Sequence, residues 1–250
     1  MKVKFTLCYN GSSYEGSQVQ LHTKNTIMGR VYEALKALNI KTKLHASGRT
    51  DAGVHAFRQT MHCELPSFWN DMPKLKELLN HKLPSSIKIR HISLCDESFH
   101  SRYSAKRRAY RYILSQEESN PFEDAFITFI NAPINHNLLT EAIKIFRGEH
   151  DFSSFKKSGS DTGTNVRTIF NTRVYTFKGK TVLYFEANGF LRSQIRLMVA
   201  FLLKINEGTL STQQLQEQLD NVKVHNKKPA PGNGLYLSNI VYELSLRKNI

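Results

Sequence analysis

The sequence predicts an α+β protein built from two similar halves. Three observations support this prediction. Strand-like segments that alternate apolar and polar residues occur in both halves of the 250-residue chain, amphipathic helix patterns lie between them, and the order of strands and helices is similar in each half. We divide the chain into residues 1–104 and 105–250. Because no residue-level repeat accompanies the pattern, the duplication rests on element order, and we expect the halves to share a sheet with a cleft between them.

The first half begins with a strand at residues 2–9, where Val3, Phe5 and Leu7 share one face. A Gly/Ser-rich loop follows. Apolar residues at helical spacing predict a helix over 25–39, with Asn25 or Thr26 as its N-cap. Further strands are predicted at 42–47, 54–64 and 86–94, and a further helix at 71–82.

The second half repeats this mixture of elements. The predicted elements are a strand at 106–114, a helix at 137–150 that ends at Gly148, a strand pair within 164–190 with a turn at Lys178-Gly179-Lys180, helices at 190–205 and 212–221, and a closing strand at 234–246.

The charge of the chain points to a polyanionic partner. Thirty-five Lys and Arg against 21 Asp and Glu leave a net charge of +14, and nucleic acid is the commonest polyanion that such proteins bind. Hydrophobic residues make up 40% of the chain, which is typical of a folded protein.

Several other classes of protein are not supported. The three cysteines have neither zinc-ligand nor redox spacing, and the histidines form no metal-binding motif, so we expect reduced thiols, a cytoplasmic location and no metal. No apolar run is long enough to span a membrane, and the first ten residues do not resemble a signal peptide.

Residues 47–56, SGRTDAGVHA, are the first candidate site. On an extended segment Arg49 and Asp51 share a face, and a guanidinium nearby favours the ionised carboxylate, which suits a nucleophile or a base. An ordinary glycine turn in which the aspartate bonds its own backbone has the same sequence. The motif alone leaves both interpretations open.

The predicted strand RRAYRYIL is the second candidate. Arg108, Tyr110 and Tyr112 lie on one face, and Arg107 and Arg111 lie on the other. Cations interleaved with aromatic rings suit nucleic acid, because cations bind phosphate and rings stack on bases. A strand with core tyrosines and a solvated basic face remains the alternative.

The predicted helix at 190–205 is the third candidate. Arg192 and Arg196 are four residues apart and so are predicted to share one face of the helix, and Arg196 lies where that polar face gives way to the apolar run LMVAFLL. A largely buried arginine needs an anionic partner, and Asp51 is a candidate. The alternative is an arginine that extends its head group to water.

These segments resemble the TruA-type tRNA pseudouridine synthases. ASGRTDAGVHA, FHSRYSAKRRAYRYIL, HDFSSF, FEANGFLRSQIRLMV and APGNGLYL occur in the order and at the separations of that family, and the likeness covers about residues 2–245. The resemblance implies two α+β halves around an extended, mostly antiparallel sheet flanked by helices, with the active site in a central cleft. It also implies a homodimer that isomerises uridine at positions 38–40 of the anticodon stem-loop of tRNA without metal or cofactor.

The resemblance also implies roles for single residues. Asp51 matches the essential aspartate, Arg49 the arginine before it, and Arg196 the basic residue that pairs with the aspartate. Tyr110 matches the tyrosine that stacks on the target base, and Leu235 an apolar residue of the pocket. We add Arg107, Arg108, Arg111 and Arg192 as substrate contacts.

The chain departs from the family pattern near its first loop. Gly16-Ser17-Gln18 stands where glycine-tryptophan-glutamine is common, and Asn10 replaces a usual aspartate. Two rival functions remain at this point. A non-catalytic RNA-binding protein or RNA chaperone would keep the basic strand without needing Asp51, whereas a nuclease is disfavoured because the sequence offers no metal or histidine cluster.

Overall fold

The chain forms two compact units. The structure is a computed structural model that describes residues 1–157, 159 and 163–243. The first unit comprises Met1–Arg108 together with the described chain from Leu237 onward, and the second comprises Ala109–Tyr236. The closing strand therefore returns to the first unit. A single division of the chain into residues 1–104 and 105–250 does not include this return.

The first unit is a sheet with two helices. Its elements are β1 (Lys2–Tyr9), α1 (Ile27–Ala37), β2 (His45–Ala46), β3 (His55–Glu64), α2 (Met72–Lys82) and β4 (Ile87–Leu94). The strand order is β4-β1-β3, continued by the final strand of the chain, and β2 pairs with β3. The central strand β1 is antiparallel to both of its neighbours.

The alternation in β1 decides which face of this sheet is covered. Val3, Phe5, Leu7 and Tyr9 are at most 5% exposed, so one face of β1 belongs to the core. Helix α1 begins after Thr26, whose hydroxyl accepts from the Gly29 N–H and satisfies one of the free donors of the first turn. The strand at 2–9 and the helix within 25–39 are confirmed.

The second unit combines further strands with three helices. Its elements are β5 (Arg107–Ser115), β6 (Thr128–Phe129), α3 (His136–Lys144), β7 (Gly148–Asp151), a 3₁₀ turn (Ser153–Phe155), β8 (Val166–Phe177), β9 (Lys180–Ala187), α4 (Gln194–Asn206) and α5 (Thr212–Leu219). The strand order is β5-β9-β8-β7, and β6 pairs with β5 in parallel. The final strand, β10 (Leu235–Val241), begins in this unit.

Several predicted bounds were wrong. The helix predicted over 137–150 ends at Lys144, and Gly148 instead begins β7 with a φ of 101°. The helix predicted from 190 begins at Gln194, because Ser193 adopts the left-handed conformation (φ 59°). The closing strand ends at Val241, and residues 244–246 of its predicted span lie outside the described residues.

The α+β class, with mostly antiparallel strands flanked by helices, is confirmed. The β8–β9 hairpin also has its predicted turn, in which Lys178 and Gly179 have φ values of 47° and 75°, as a tight two-residue hairpin turn requires. None of the described helices has the length and apolarity needed to cross a membrane.

Three histidines pack together in the first unit. The rings of His45 and His62 stack with centroids 4.9 Å apart, and the His100 ring lies 4.7 Å from that of His62. The His62 Nδ1 atom is hydrogen-bonded to the Ser101 hydroxyl. Burial, helped by His100, His45 and Lys2, lowers the pKa of His62 to about 4. His62 is therefore packed as a neutral ring.

We expect the free energy of unfolding to fall as the pH drops from about 6.5 to about 4. Over that range His62 is protonated in the unfolded chain but not in the folded one, so lowering the pH favours unfolding. The His62→Gln variant should lose about 1–3 kcal/mol of this pH dependence, a figure discounted for solvent screening. Urea titrations at several pH values measure it. The exposed His81→Gln serves as control, and an unchanged slope in His62→Gln would refute the expectation.

Candidate active site

The Asp51 loop joins β2 to β3 and contains a tight turn. The Val54 N–H donates to the Asp51 carbonyl over 3.2 Å, and Gly53 has a φ of 76°, a conformation that favours glycine. Val54 is only 2% exposed, so the turn ends in the core of the first unit. The predicted backbone turn is thus present, and Asp51 is its first residue.

Thr50 is hydrogen-bonded through its N–H, its carbonyl and its hydroxyl, by Ser17 of the loop after β1 and by Tyr9 at the end of β1. The Ser17 hydroxyl accepts from the Thr50 N–H at 2.8 Å, and the Ser17 N–H donates to the Thr50 carbonyl at 3.0 Å. The hydroxyl groups of Tyr9 and Thr50 are 2.8 Å apart. Because Ser17 is 1% exposed, these bonds are made away from water, where an unpaired polar group is costly. They hold the backbone directly before Asp51.

Further contacts fix the two ends of the loop. The Gln59 amide donates to the Gly48 carbonyl at 3.0 Å, and the Ser47 hydroxyl donates to Gln59 at 2.7 Å. At the other end, a Cβ on Gly11 would lie 2.0 Å from the Val54 carbonyl oxygen, so only glycine fits there. The Gly11 N–H donates to His55 Nδ1. The whole loop is therefore a rigid support.

Arg49 and Asp51 flank the buried Thr50. Arg49 is exposed and Asp51 is half-buried, whereas Thr50 is 8% exposed. Arg49 has no hydrogen bond or ion pair with any other residue that the structure describes. Its guanidinium is therefore available to a ligand that reaches Asp51.

Arg108 also supports this loop. Its Nη2 atom donates to the Ser47 carbonyl at 2.8 Å and to the Arg102 carbonyl at 2.6 Å, all within the first unit. A phosphate contact by Arg108, as the sequence predicts, would compete with these bonds. Arg107 is half-buried and Arg111 is exposed. Arg111 lies close enough to Tyr184 for its positive charge to favour the ionised form of the Tyr184 hydroxyl.

In the second unit, Arg196 is hydrogen-bonded to the segment before β10. Its Nε donates to the Ala230 carbonyl at 2.7 Å, and the Ala230 N–H donates to the Arg196 carbonyl at 2.9 Å. The side chain is half-buried, as its position at the edge of the apolar run predicts. Arg192 does not share its helical face, because Arg192 precedes the left-handed Ser193 and lies in an exposed turn. That part of the prediction was wrong.

The same segment is packed closely against β5. The Ile113 N–H donates to the Gly234 carbonyl, and a Cβ on Gly234 would lie 2.7 Å from the Thr128 hydroxyl. The Tyr112 hydroxyl donates to the Pro231 carbonyl at 2.9 Å, and burial raises the Tyr112 pKa to about 12. These contacts position Leu235, which is 5% exposed.

Tyr110 is buried in the second unit. Its ring is 7% exposed and meets Phe190 edge to face, with centroids 5.3 Å apart. A ring in this position packs in the core. It can stack on a base only if the base enters beside it. Both interpretations of Tyr110 therefore stay open.

Each unit thus collects a part of the predicted site. The first contains Arg49 and Asp51, and the second contains Tyr110, Arg196 and Leu235. The Asp51–Arg196 pair remains a prediction. No group of three or more potential metal ligands occurs among the described residues. The sequence marked Ser17 only as a departure from the family pattern and gave no role to Tyr9 or Gln59. The glycines of the loop after β1 were the one signal of such close packing.

Comparison with known proteins identifies the family. A family model described as tRNA pseudouridine synthase matches residues 8–104 and 142–243. The chain belongs to the tRNA pseudouridine synthase family. It is therefore an enzyme of the isomerase class, as the sequence resemblance predicts, and the catalytic aspartate of that resemblance falls within the first matched segment.

Similar proteins align over nearly the whole chain. A protein named tRNA pseudouridine synthase A from Wolinella succinogenes is 39% identical, covering 95% of this chain and 93% of its own length. A namesake from Helicobacter hepaticus is 36% identical, covering 96% and 98%. A solved Cbf5-Nop10-Gar1 complex aligns with a TM-score of 0.34 and 13% identity over 79% of this chain and 44% of that chain, a likeness too low to carry an argument.

Two substitutions separate the interpretations of Tyr110. If the ring stacks on the target base, Tyr110→Phe should keep tRNA affinity, because stacking needs only the flat face, and Tyr110→Ala should lose roughly 1–3 kcal/mol of binding. If Tyr110 serves only the core, Tyr110→Ala should lower the melting temperature by several degrees without any specific loss of affinity. Melting temperature, tRNA affinity and single-turnover rate measure both, with Tyr175→Phe as control. A destabilised Ala variant whose tRNA affinity below its melting temperature equals that of wild type, beside a fully active Phe variant, would remove Tyr110 from the site.

Proposed function

We propose that the enzyme converts uridine to pseudouridine in the anticodon stem-loop of tRNA, with Asp51 as the catalytic carboxylate and without metal or cofactor. The observation that carries the proposal is the position of Asp51. It begins a turn and directly follows Thr50, whose N–H donates to the Ser17 hydroxyl and whose hydroxyl is bonded to Tyr9, while the Gln59 amide donates to the Gly48 carbonyl. The neighbouring Arg49 guanidinium has no hydrogen bond or ion pair with any described residue. Such a fixed first residue is what a pre-organised catalytic group requires.

The reaction needs one well-placed carboxylate. The bond from C1′ of the ribose to N1 of uracil breaks, the base turns, and C1′ joins C5. The hydrogen on C5 leaves as a proton, and N1 acquires one. Cleavage develops positive charge on the sugar, which an ionised aspartate stabilises, traps as a covalent adduct, or relieves by removing a neighbouring proton.

The substrate must also be opened. A uridine in a stacked or paired stem-loop has to leave the stack before its glycosidic bond is accessible, at a cost of a few kcal/mol. The exposed guanidinium of Arg49 is suited to hold the phosphate or base of the flipped nucleotide beside Asp51. In this proposal Tyr110 and Leu235 contact the base, and Arg107, Arg108, Arg111 and Arg192 contact the backbone.

The remaining parts of the proposal concern Arg196 and the assembly. We assign Arg196 to the Asp51 carboxylate, as the cation that pairs with it and orients it. We further propose that the enzyme acts as a homodimer in the cytoplasm. The net charge of +14 supports a polyanionic substrate, and cysteines without a disulfide pattern support a reducing compartment.

Release of the C5 hydrogen provides the test. A tRNA transcript that carries tritium at C5 of its uridines is incubated with the enzyme, in parallel with a transcript in which uridines 38–40 are replaced by cytidine. We expect tritium release from the first and none from the second. Equal release would reject the anticodon stem-loop as target, and binding without release would favour an RNA chaperone.

A further inference from the structure

Two β-bulges face each other across β1 in the first unit. In the β1–β3 pair, Leu7 is opposite Gln59 and Tyr9 is opposite Ala56, so β3 has one extra residue at Phe57–Arg58. In the β1–β4 pair, Thr6 is opposite His91 and Leu7 is opposite Ile89, which leaves Arg90 as the extra residue of β4. Each bulge therefore contains an arginine.

The bulges change the direction of these side chains. In a regular strand, neighbouring residues point to opposite faces, and Arg90 and His91 would be on opposite sides of the sheet. Here Arg90 and His91 are both exposed, whereas Ile89 and Ile92 on either side are buried. Bulges can re-aim a side chain, and they are over-represented at sheet edges, such as β4 here, and next to active sites.

These residues line one open pocket of about 330 Å³ within the first unit. Its walls include Lys4, Arg58, Arg90, His91, Thr60 and Tyr242, and no Asp or Glu. The side chains of Arg58 and Arg90 have no hydrogen bond or ion pair with any described residue. The Lys4 ammonium lies 5.9 Å from the centre of the Tyr242 ring.

The arrangement is unfavourable for the sheet by itself. Like charges on adjacent strands repel, and the guanidinium groups of Arg58 and Arg90 have no described anionic partner that offsets this repulsion. The cluster becomes favourable when an anion lies among the cations, because arginine forks and a hydroxyl match phosphate oxygens. A single solvated cation on a surface does not indicate a bound anion. Three cations that converge on one concave surface do indicate one.

We propose that this pocket binds backbone phosphates of tRNA and that Arg58 and Arg90 supply two of its contacts. The inference rests on the proposed function, which provides the tRNA, and it places substrate contacts on the sheet of the first unit, outside the Asp51 loop. The two arginines position tRNA and take no part in the chemical step.

Salt dependence of tRNA affinity tests the proposal. Each phosphate contact contributes about 0.9 to the slope of log affinity against log salt. The double variant Arg58→Gln/Arg90→Gln should lower that slope by about two, so that its deficit relative to wild type shrinks roughly tenfold between 50 and 200 mM salt. The Arg58→Lys/Arg90→Lys variant, which keeps the charges, should retain the wild-type slope.

The matched control neutralises two cations of the helices. Lys36→Gln/Lys76→Gln removes the same charge from α1 and α2, outside the pocket. An Arg58/Arg90 double variant with the slope of this control would overturn the proposal. Affinity is measured without turnover, so the two proposals can fail separately. If only the proposed reaction is wrong, tritium release is absent, but the salt slopes of the Arg58/Arg90 double variant and wild type still differ.

Discussion

The Asp51→Asn variant should lose pseudouridine formation by at least about 10⁴-fold in single turnover, while its tRNA affinity stays within several-fold of wild type. The amide has the shape of the carboxylate but neither its charge nor its nucleophilicity, so only the chemical step should suffer. The bonds that hold the loop come from Ser17, Tyr9 and Gln59 and do not require the charge. Tritium release, filter binding and melting temperature measure the three effects.

A matched control for this variant is Asp124→Asn. Asp124 is an exposed aspartate of the second unit, and its backbone carbonyl accepts a bond from Asn233 that the substitution preserves. The control should behave as wild type. Substantial turnover by Asp51→Asn, in a protein of normal melting temperature, would remove Asp51 as the catalytic carboxylate.

The Arg196→Met variant should lose turnover by about 10²-fold or more with a smaller effect on tRNA affinity. Methionine preserves much of the apolar stem but leaves the proposed carboxylate partner without its cation, which in a desolvated site costs several kcal/mol. Part of any loss in stability would come from the bond between Arg196 Nε and the Ala230 carbonyl. Arg196→Lys should therefore recover turnover in part, since it restores the charge without the fork.

The control for this substitution is Lys204→Met, which removes a cation from the last turn of the same helix. It should leave turnover unchanged. If Arg196→Met lowers the melting temperature but turns over tRNA at the wild-type rate below that temperature, Arg196 has only a structural role and the pairing with Asp51 is rejected.

Local patterns were sufficient for much of the fold. The β1 alternation of Val3, Phe5 and Leu7 predicts a strand with one buried face, and the spacing of Ile27, Val31 and Leu35 predicts α1. Both patterns repeat over several residues, so one unusual position does not hide them. The β8–β9 turn was predictable for a different reason, because the glycine at its tip marks the turn locally.

Boundaries were predicted less well where one residue overrides its neighbours. Arg192 lies outside α4 because Ser193 adopts a left-handed conformation, which no pattern of apolar residues signals. The bulges at Arg58 and Arg90 are likewise invisible in the sequence, because they arise from pairing with β1.

The residues of the candidate site were predictable from the sequence, but the hydrogen bonds that hold the Asp51 loop were not. Asp51 and Arg49 belong to a short motif that reads directly from the chain. The bond from Ser17 to Thr50 joins residues 33 positions apart, and that from Arg108 to Ser47 spans 61. Such contacts depend on the folded arrangement of the first unit, so a single sequence offers no means of finding them.

The central claim is that Asp51 carries out isomerisation of anticodon-arm uridines, and a site-resolved map of pseudouridine tests it most directly. One unmodified tRNA transcript is treated in parallel with wild type and with Asp51→Asn, and each uridine is then assayed for conversion. The account predicts pseudouridine at positions 38–40 after treatment with wild type, and at no position after treatment with the variant. Conversion by the variant, or conversion by wild type only outside the anticodon arm, would contradict it.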